Sequence, residues 1–182
     1  MTVCIGVIDK ENHCCYVGVD SCVSSDAFHT KTKTTKCFFA NGREDVIWAC
    51  AGSIRMANLI STDTRMFPVG FSYPRKTLFD NIILKVVPIL KEYADTLHPD
   101  HKEFDLILAI TDKMFRIQED LSVYEPDDDI ITIGCGCQTA YGAMKAFQQL
   151  HLDPIESIRN SIVISANYVY GVDSPSVILK TL

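Results

Sequence analysis

Thr2-Val3-Cys4-Ile5-Gly6-Val7-Ile8-Asp9 and Cys14-Cys15-Tyr16-Val17-Gly18-Val19-Asp20-Ser21 open the chain after Met1, separated by Lys10-Glu11-Asn12-His13. Val3 to Ile8 and Cys15 to Val19 are rich in β-branched and aromatic residues, and the polar tetrapeptide between them reads as a turn, so the pair predicts a hairpin. Next, Phe38-Phe39 runs into Ala40-Asn41-Gly42-Arg43, where Asn-Gly is a strong hairpin signal, and Val46 to Ala51 reads as the returning strand. Two antiparallel pairs therefore fall within the first fifty or so residues.

Helical spacing begins after Gly52-Ser53, with Ser53 as N-cap for Ile54 to Ser61. Gly70 and two prolines break the pattern between Pro68 and Pro74. From Thr77 to Leu97, the residues Leu78, Ile82, Ile83, Val86, Ile89, Leu90 and Tyr93 recur on one face, and Pro88 is expected to kink that helix or end it early. Strands return at Asp105 to Thr111 and Met114 to Gln118 around an Asp112-Lys113 turn, and again at Ile130 to Ile133. Thr139 to Leu150 and Pro154 to Tyr168 have helical spacing, the second with Asp153 as N-cap and Pro154 at the first helical position. Ser176 to Leu179 reads as a last strand. Segregated runs of strands and helices predict an α+β fold with helices packed on antiparallel sheets. The 182 residues show no repeat, linker or low-complexity segment and are expected to form a single domain over 1–182.

The composition narrows the function. A net charge of −6 argues against nucleic acid as a partner. No apolar run approaches the ~20 residues of a membrane span, and Val3 to Ile8, too short and without a preceding basic region, is not a signal peptide. A cytoplasmic protein is expected, whose eight cysteines remain thiols. Cys135-Gly136-Cys137 lacks metal-site spacing and no histidine lies near it, so neither a metal nor a cofactor is expected. Most of the cysteines alternate with Val, Ile or Ala and read as small buried hydrophobes in strands.

A threonine at position two acquires a free α-amine if Met1 is removed, which its small side chain favours. One residue then supplies both nucleophile and base. Asp20 closes the second strand, Lys36 follows sixteen residues later within Thr34-Thr35-Lys36-Cys37-Phe38, and Ala51-Gly52-Ser53 stands at a strand-to-helix turn. Taken singly these are an ordinary second residue, a turn carboxylate, one of several lysines and a helix start. In this order and spacing they resemble the proteasome β-subunit family of N-terminal-nucleophile hydrolases. Phe104 to Ile117, Glu125-Pro126-Asp127-Asp128, Ile131-Thr132-Ile133-Gly134-Cys135-Gly136 and Tyr141-Gly142-Ala143 extend the resemblance, which runs from residue 2 to about 170. The length, and the lack of a propeptide beyond Met1, look most like the bacterial HslV-type peptidases of that family.

The resemblance implies a four-layer α-β-β-α sandwich, with two antiparallel sheets between helix pairs, and a threonine-type endopeptidase. Thr2 Oγ would attack the peptide carbonyl and its own amine would take the proton. Lys36 would favour the alkoxide, Asp20 would hold Lys36, and the Gly52 N–H would donate to the oxyanion. Cys135 stands where the family usually has a serine beside the threonine amine. Asp173 and Ser174 are the nearest substitutes for a late Asp and Ser. Val23, Thr34, Phe38, Cys50 and Ile54 would line the specificity pocket. They carry no charge, so an apolar or small residue is expected before the scissile bond. The implied partners are polypeptide substrates, further copies of the chain in a homo-oligomeric ring and an ATPase unfoldase. Two other readings keep the fold: a catalytically silent structural or binding subunit, and a small-molecule amidase using the same nucleophile.

Overall fold

In the computed structural model, which describes residues 2–25, 28–31, 36–68, 70, 74–98 and 103–182, the opening hairpin is β1 (Val3–Asp9) and β2 (Cys14–Val19), paired from Cys4↔Val19 to Asp9↔Cys14. β10 (Ile130–Gly134) adds to the free edge of β1 and β11 (Val177–Lys180) to that of β2, giving an antiparallel sheet ordered β10-β1-β2-β11. β5 (Cys37–Ala40), β6 (Arg43–Gly52), β7 (Phe104–Ile110), β8 (Lys113–Gln118) and β9 (Val123–Tyr124) make a second antiparallel sheet in sequence order. β3 (Cys22–Ser25) and β4 (Phe28–Lys31) form a separate two-stranded ribbon. That ribbon is too short and polar, and the two-residue β9 too short, for alternation to have revealed them.

The two-residue repeat of each strand sorts the core into layers. Cys4, Cys15, Val17 and Val19 from the first sheet meet Ile47, Ala49, Ile107, Ala109 and Met114 from the second. The opposite faces of β1 and β2, carrying Val3, Ile5, Val7 and Tyr16, pack on α4 (Cys137–Gln149) and α5 (Pro154–Tyr168) through Ala140, Met144, Ile158 and Ile162. On the far side of the second sheet, Val46, Trp48, Leu106, Leu108 and Phe115 pack on α1 (Ile54–Thr62) and on the helical run 78–95. The molecule is thus α+β, helices–sheet–sheet–helices. Cysteines 4, 14, 15, 22, 37 and 50 are buried in or beside these strands, as their alternation predicts.

The helix caps match the sequence. Ser53 accepts from the Met56 amide at 3.3 Å, and Asp153 accepts from Ile155 and Glu156 at 2.9 and 3.0 Å. The early end at Pro88 does not occur. The run is α-helical at α2 (Leu78–Asn81), widens to a π turn at Ile82–Val86 and resumes as α3 (Val87–Asp95), so it neither ends nor breaks. Val87 N–H reaches back five residues to the Ile82 carbonyl, and the wider turn lets the chain pass a residue with no N–H to give. The same widening corrects the predicted face. Leu78, Ile82, Val86 and Leu90 are buried at a spacing of four, whereas Ile83 is 37% exposed.

Beyond α1, the buried Asp63 carboxylate accepts from the Arg65 and Met66 amides at 2.7 and 2.8 Å, from Arg65 Nε at 3.0 Å, and from the Tyr93 hydroxyl of α3. Burial alone would raise its pKa, but these donors outweigh it and hold the carboxyl below the usual range. A depressed folded-state pKa gives stability that is present above the unfolded value of about 3.9 and is lost as pH falls through the folded one. Asp63→Asn is expected to destabilise the protein at pH 7 by about 1–3 kcal/mol and to flatten the acid limb of stability against pH. Urea midpoints measured from pH 7 down to pH 2 check both.

Candidate active site

Where β1 begins, the repeat that sends Cys4 into the inter-sheet layer places Thr2 at the mouth of that layer, 3% exposed. Asp20, one residue past β2, is 2% exposed, and Lys36, one residue before β5, is 6% exposed. The ends of three strands therefore bring together three polar side chains that lie far apart in the chain.

Asp20 is the hub. Its Oδ1 accepts from the Thr2 hydroxyl, from the Val3 amide at 3.0 Å and from Lys36 Nζ at 2.7 Å. Its Oδ2 accepts from the Cys22 amide at 2.9 Å and the Asp173 amide at 3.3 Å. Lys36 Nζ also donates to the Cys22 carbonyl at 2.7 Å and to Thr2 Oγ1. The ammonium thus touches the threonine oxygen while the carboxylate compensates its charge. A buried ion pair is tolerated only with such geometry and such additional donors.

Two glycines shape the floor. Gly134, at the end of β10 and opposite Val3, has φ +87°, and a Cβ there would lie 2.4 Å from the Thr2 carbonyl oxygen. Gly52 also has φ +87°, and a Cβ there would meet the Glu103 carbonyl oxygen at 2.4 Å. The Cys50 amide donates to the Lys36 carbonyl at 2.9 Å and the Ser53 amide to the Glu103 carbonyl at 3.0 Å. Alternation along β6 then turns the Gly52 N–H to the same edge as that of Cys50, the edge on which Lys36 lies. Cys135 is exposed, and its thiol donates to the Thr2 carbonyl at 3.3 Å. Asp173 joins through its backbone: its amide reaches Asp20, its carbonyl accepts from the Ser21 amide at 3.2 Å, and its carboxylate accepts from the Ser174 amide at 2.8 Å.

A cleft of roughly 510 Å³ opens beside Thr2 and is lined also by Gly52, Gly134, Cys135 and Cys137. The described residues lining this cleft include none of those expected to form a specificity pocket. Thr34 lies outside the described residues, and Val23 is placed by its backbone in β3. Phe38 and Cys50 belong to the outer face of the second sheet, where burial pushes the Cys50 thiol up to about 12. Ile54 lines a neighbouring cavity of roughly 410 Å³, which shares Gly52 with the cleft. What sequence reading missed is the wall supplied by Glu103, Asp105, Arg116, Gln118 and Glu119. A signal was present: the inward positions 107, 109 and 114 are apolar, but 105, 116 and 118 on the same face are polar.

No protein-family model and no curated protein matches the sequence. Solved structures do. Eukaryotic HslV from Trypanosoma brucei superposes with a TM-score of 0.72 at 19% identity, covering 98% of each chain. Thiobacillus denitrificans BPH gives 0.75 at 18% identity, over 100% of this chain and 97% of that one. The same protein in complex with epoxomicin gives 0.74 at 13% identity, over 98% and 97%. The chain therefore has the HslV and proteasome β-type fold.

Because the space above Gly134 is filled by Thr2, Gly134→Ala is expected to displace the threonine and to cost about 1–3 kcal/mol from the left-handed backbone and the clash. A lower melting temperature, together with slower labelling of Thr2 by a hydroxyl-directed epoxyketone, checks this. Fast labelling in the variant would contradict it.

Proposed function

We propose that this chain is a threonine peptidase subunit in which Thr2, once Met1 is removed, is the N-terminal nucleophile. The observation that carries the reading is the contact of Lys36 Nζ with Thr2 Oγ1, on a lysine held by Asp20. An ammonium in that position stabilises the alkoxide without itself removing the proton. The α-amine of Thr2 would take the hydroxyl proton as Oγ attacks the peptide carbonyl, and the Gly52 N–H would donate to the resulting oxyanion. Such a donor is worth about 2.7–4 kcal/mol where one has been removed elsewhere. Collapse of the tetrahedral species breaks the C–N bond, and the departing amine takes the proton. Water then hydrolyses the ester on Thr2, its proton passing to the same α-amine. The thiol of Cys135 lies beside the start of this chain segment, in place to help order that water.

Burial of the cysteines in the inner layers supports Thr2 over a thiol as nucleophile. Burial raises the pKa of Cys4, next to the site, although Lys36 opposes this, and the Cys4 thiol is turned to the Cys50 carbonyl at 3.6 Å.

The epoxomicin complex of a structure with this fold supports a peptidase-type site. The likeness to HslV supports a ring of identical subunits served by an ATPase unfoldase, and exposed Phe79, Ile83 and Leu84 on the helical run 78–95 offer apolar surface to a neighbour. Among the described residues no helix is long and apolar enough to cross a membrane. We place the assembly in the cytoplasm. A silent scaffold subunit is the second reading, and the thiol at Cys135, a weaker hydrogen-bond partner than a hydroxyl, favours it.

Intact mass followed by probe labelling separates the two. Loss of one methionine and one adduct at Thr2 are expected for the peptidase. A processed, assembled protein that takes no adduct would establish the scaffold. Lys36→Met is expected to slow peptide hydrolysis by at least about 100-fold, in the range seen when a transition-state donor is lost, and Thr2→Ala to abolish it. With the free amine as base, kcat/KM should rise with pH through about 7.7–8.0, since the amine accepts the proton only when neutral. A profile flat from pH 6 to pH 9 would exclude that base.

A further inference from the structure

We infer that the cleft beside Thr2 is a substrate subsite for a cationic side chain, lysine or arginine, selected by Glu103 and Glu119. Its role in substrate selection rests on the reading of Thr2 as nucleophile. The volume, roughly 510 Å³, falls within the range of about 300–1,000 Å³ typical of ligand sites.

The chemistry of the walls points to the ligand. Arg116 is the one cation among the described residues lining the cleft, and it is committed: Nε bonds both oxygens of Asp105 at 2.9 and 3.1 Å, and Nη2 adds a third contact at 2.6 Å. Glu103, just before β7, and Glu119, just after β8, form no ion pair among the described residues. With Arg116 and Asp105 cancelling, the described lining carries two negative charges, Glu103 and Glu119, without a described cation partner. Ala51, Phe104 and Cys137 supply apolar surface along the same cleft. A lysine or arginine matches both parts, its aliphatic stem lying on the apolar wall and its head reaching the carboxylates. A substrate glutamate would meet repulsion from the same groups.

The Asp105–Arg116 ion pair accounts for two of the polar wall residues, whereas Glu103 and Glu119 have no such partner among the described residues. The inward face of the β7–β8 pair is apolar at Ile107, Ala109 and Met114, deep between the sheets, and turns polar at Asp105, Arg116 and Gln118 toward Thr2. Polar groups at inter-sheet positions are costly unless they are paired or solvated; Asp105 and Arg116 pair with each other, and Glu103 and Glu119 are exposed at the cleft. The sheets therefore part at this end over a surface suited to a charged guest. Gly52 borders both this cleft and the cavity lined by Ile54, so the two cavities meet at that residue.

The test is binding, read by fluorescence anisotropy in a Thr2→Ala background so that turnover plays no part. Two labelled alanine-based peptides are compared, identical except that one carries lysines where the other carries glutamates. At low salt the lysine peptide is expected to bind about tenfold tighter or more, each carboxylate giving up to about fivefold. The gap should shrink toward 1 M salt, where the screening length falls to about 3 Å. Glu103→Gln with Glu119→Gln is expected to close the gap to within about twofold, while Glu11→Gln, in the β1–β2 turn at the far end of the sheet, leaves it open. Equal binding of the two peptides, or a gap that survives the double substitution, would overturn the inference. Labelling of Thr2 in the unsubstituted protein is measured separately, so failure of the nucleophile and failure of the subsite give different results.

Discussion

One carboxylate organises this molecule's working end. Asp20 accepts five hydrogen bonds, from Thr2, Val3, Cys22, Lys36 and Asp173, and thereby ties the start of β1, the start of β3, the approach to β5 and the segment before β11 to a single point. Burying such a group unpaired would be prohibitive. The five donors together offset the cost of its burial, and the geometry around Thr2 follows from their arrangement. Lys36 is fixed in turn, because its ammonium has the carboxylate, the Cys22 carbonyl and the threonine oxygen as partners.

The fold supplies the setting by a simple rule. Strands alternating between apolar faces make two sheets that must cover each other on one side and helices on the other. Cys4 and Val17 go inward while Ile5 and Tyr16 go to α4 and α5. Where the alternation stays apolar the sheets close, and where it turns polar, at Asp105 and Arg116, they open into the cleft. Packing and site are thus consequences of one pattern, read at its two ends.

Much of this was legible in the chain. The opening hairpin, the Asn41-Gly42 turn, the Ser53 and Asp153 caps and the Asp112 turn are local signals, each decided by neighbours in sequence. Thr2, Asp20 and Lys36 were legible as a spaced set, and the fold does place them in contact. The π turn was not: it depends on how Ile82 and Val86 seat against the second sheet while the chain passes Pro88. The β3–β4 ribbon was hidden as well, since four-residue strands with polar residues give no period to detect.

The sequence by itself determined the order and type of the main elements, which residues form the layers, and the identity of the three polar residues at the strand ends. These rest on periodicity, capping and turn chemistry, all of which act over a few residues. Only the tertiary structure decided that Asp173 serves Asp20 through its backbone, that Gly134 makes room for Thr2, and that Glu103 and Glu119 line the cleft beside the threonine while Phe38 and Cys50 turn to the opposite face of the sheet. Those are contacts between residues far apart in the chain, fixed by how two twisted sheets meet, and no local pattern carries that information.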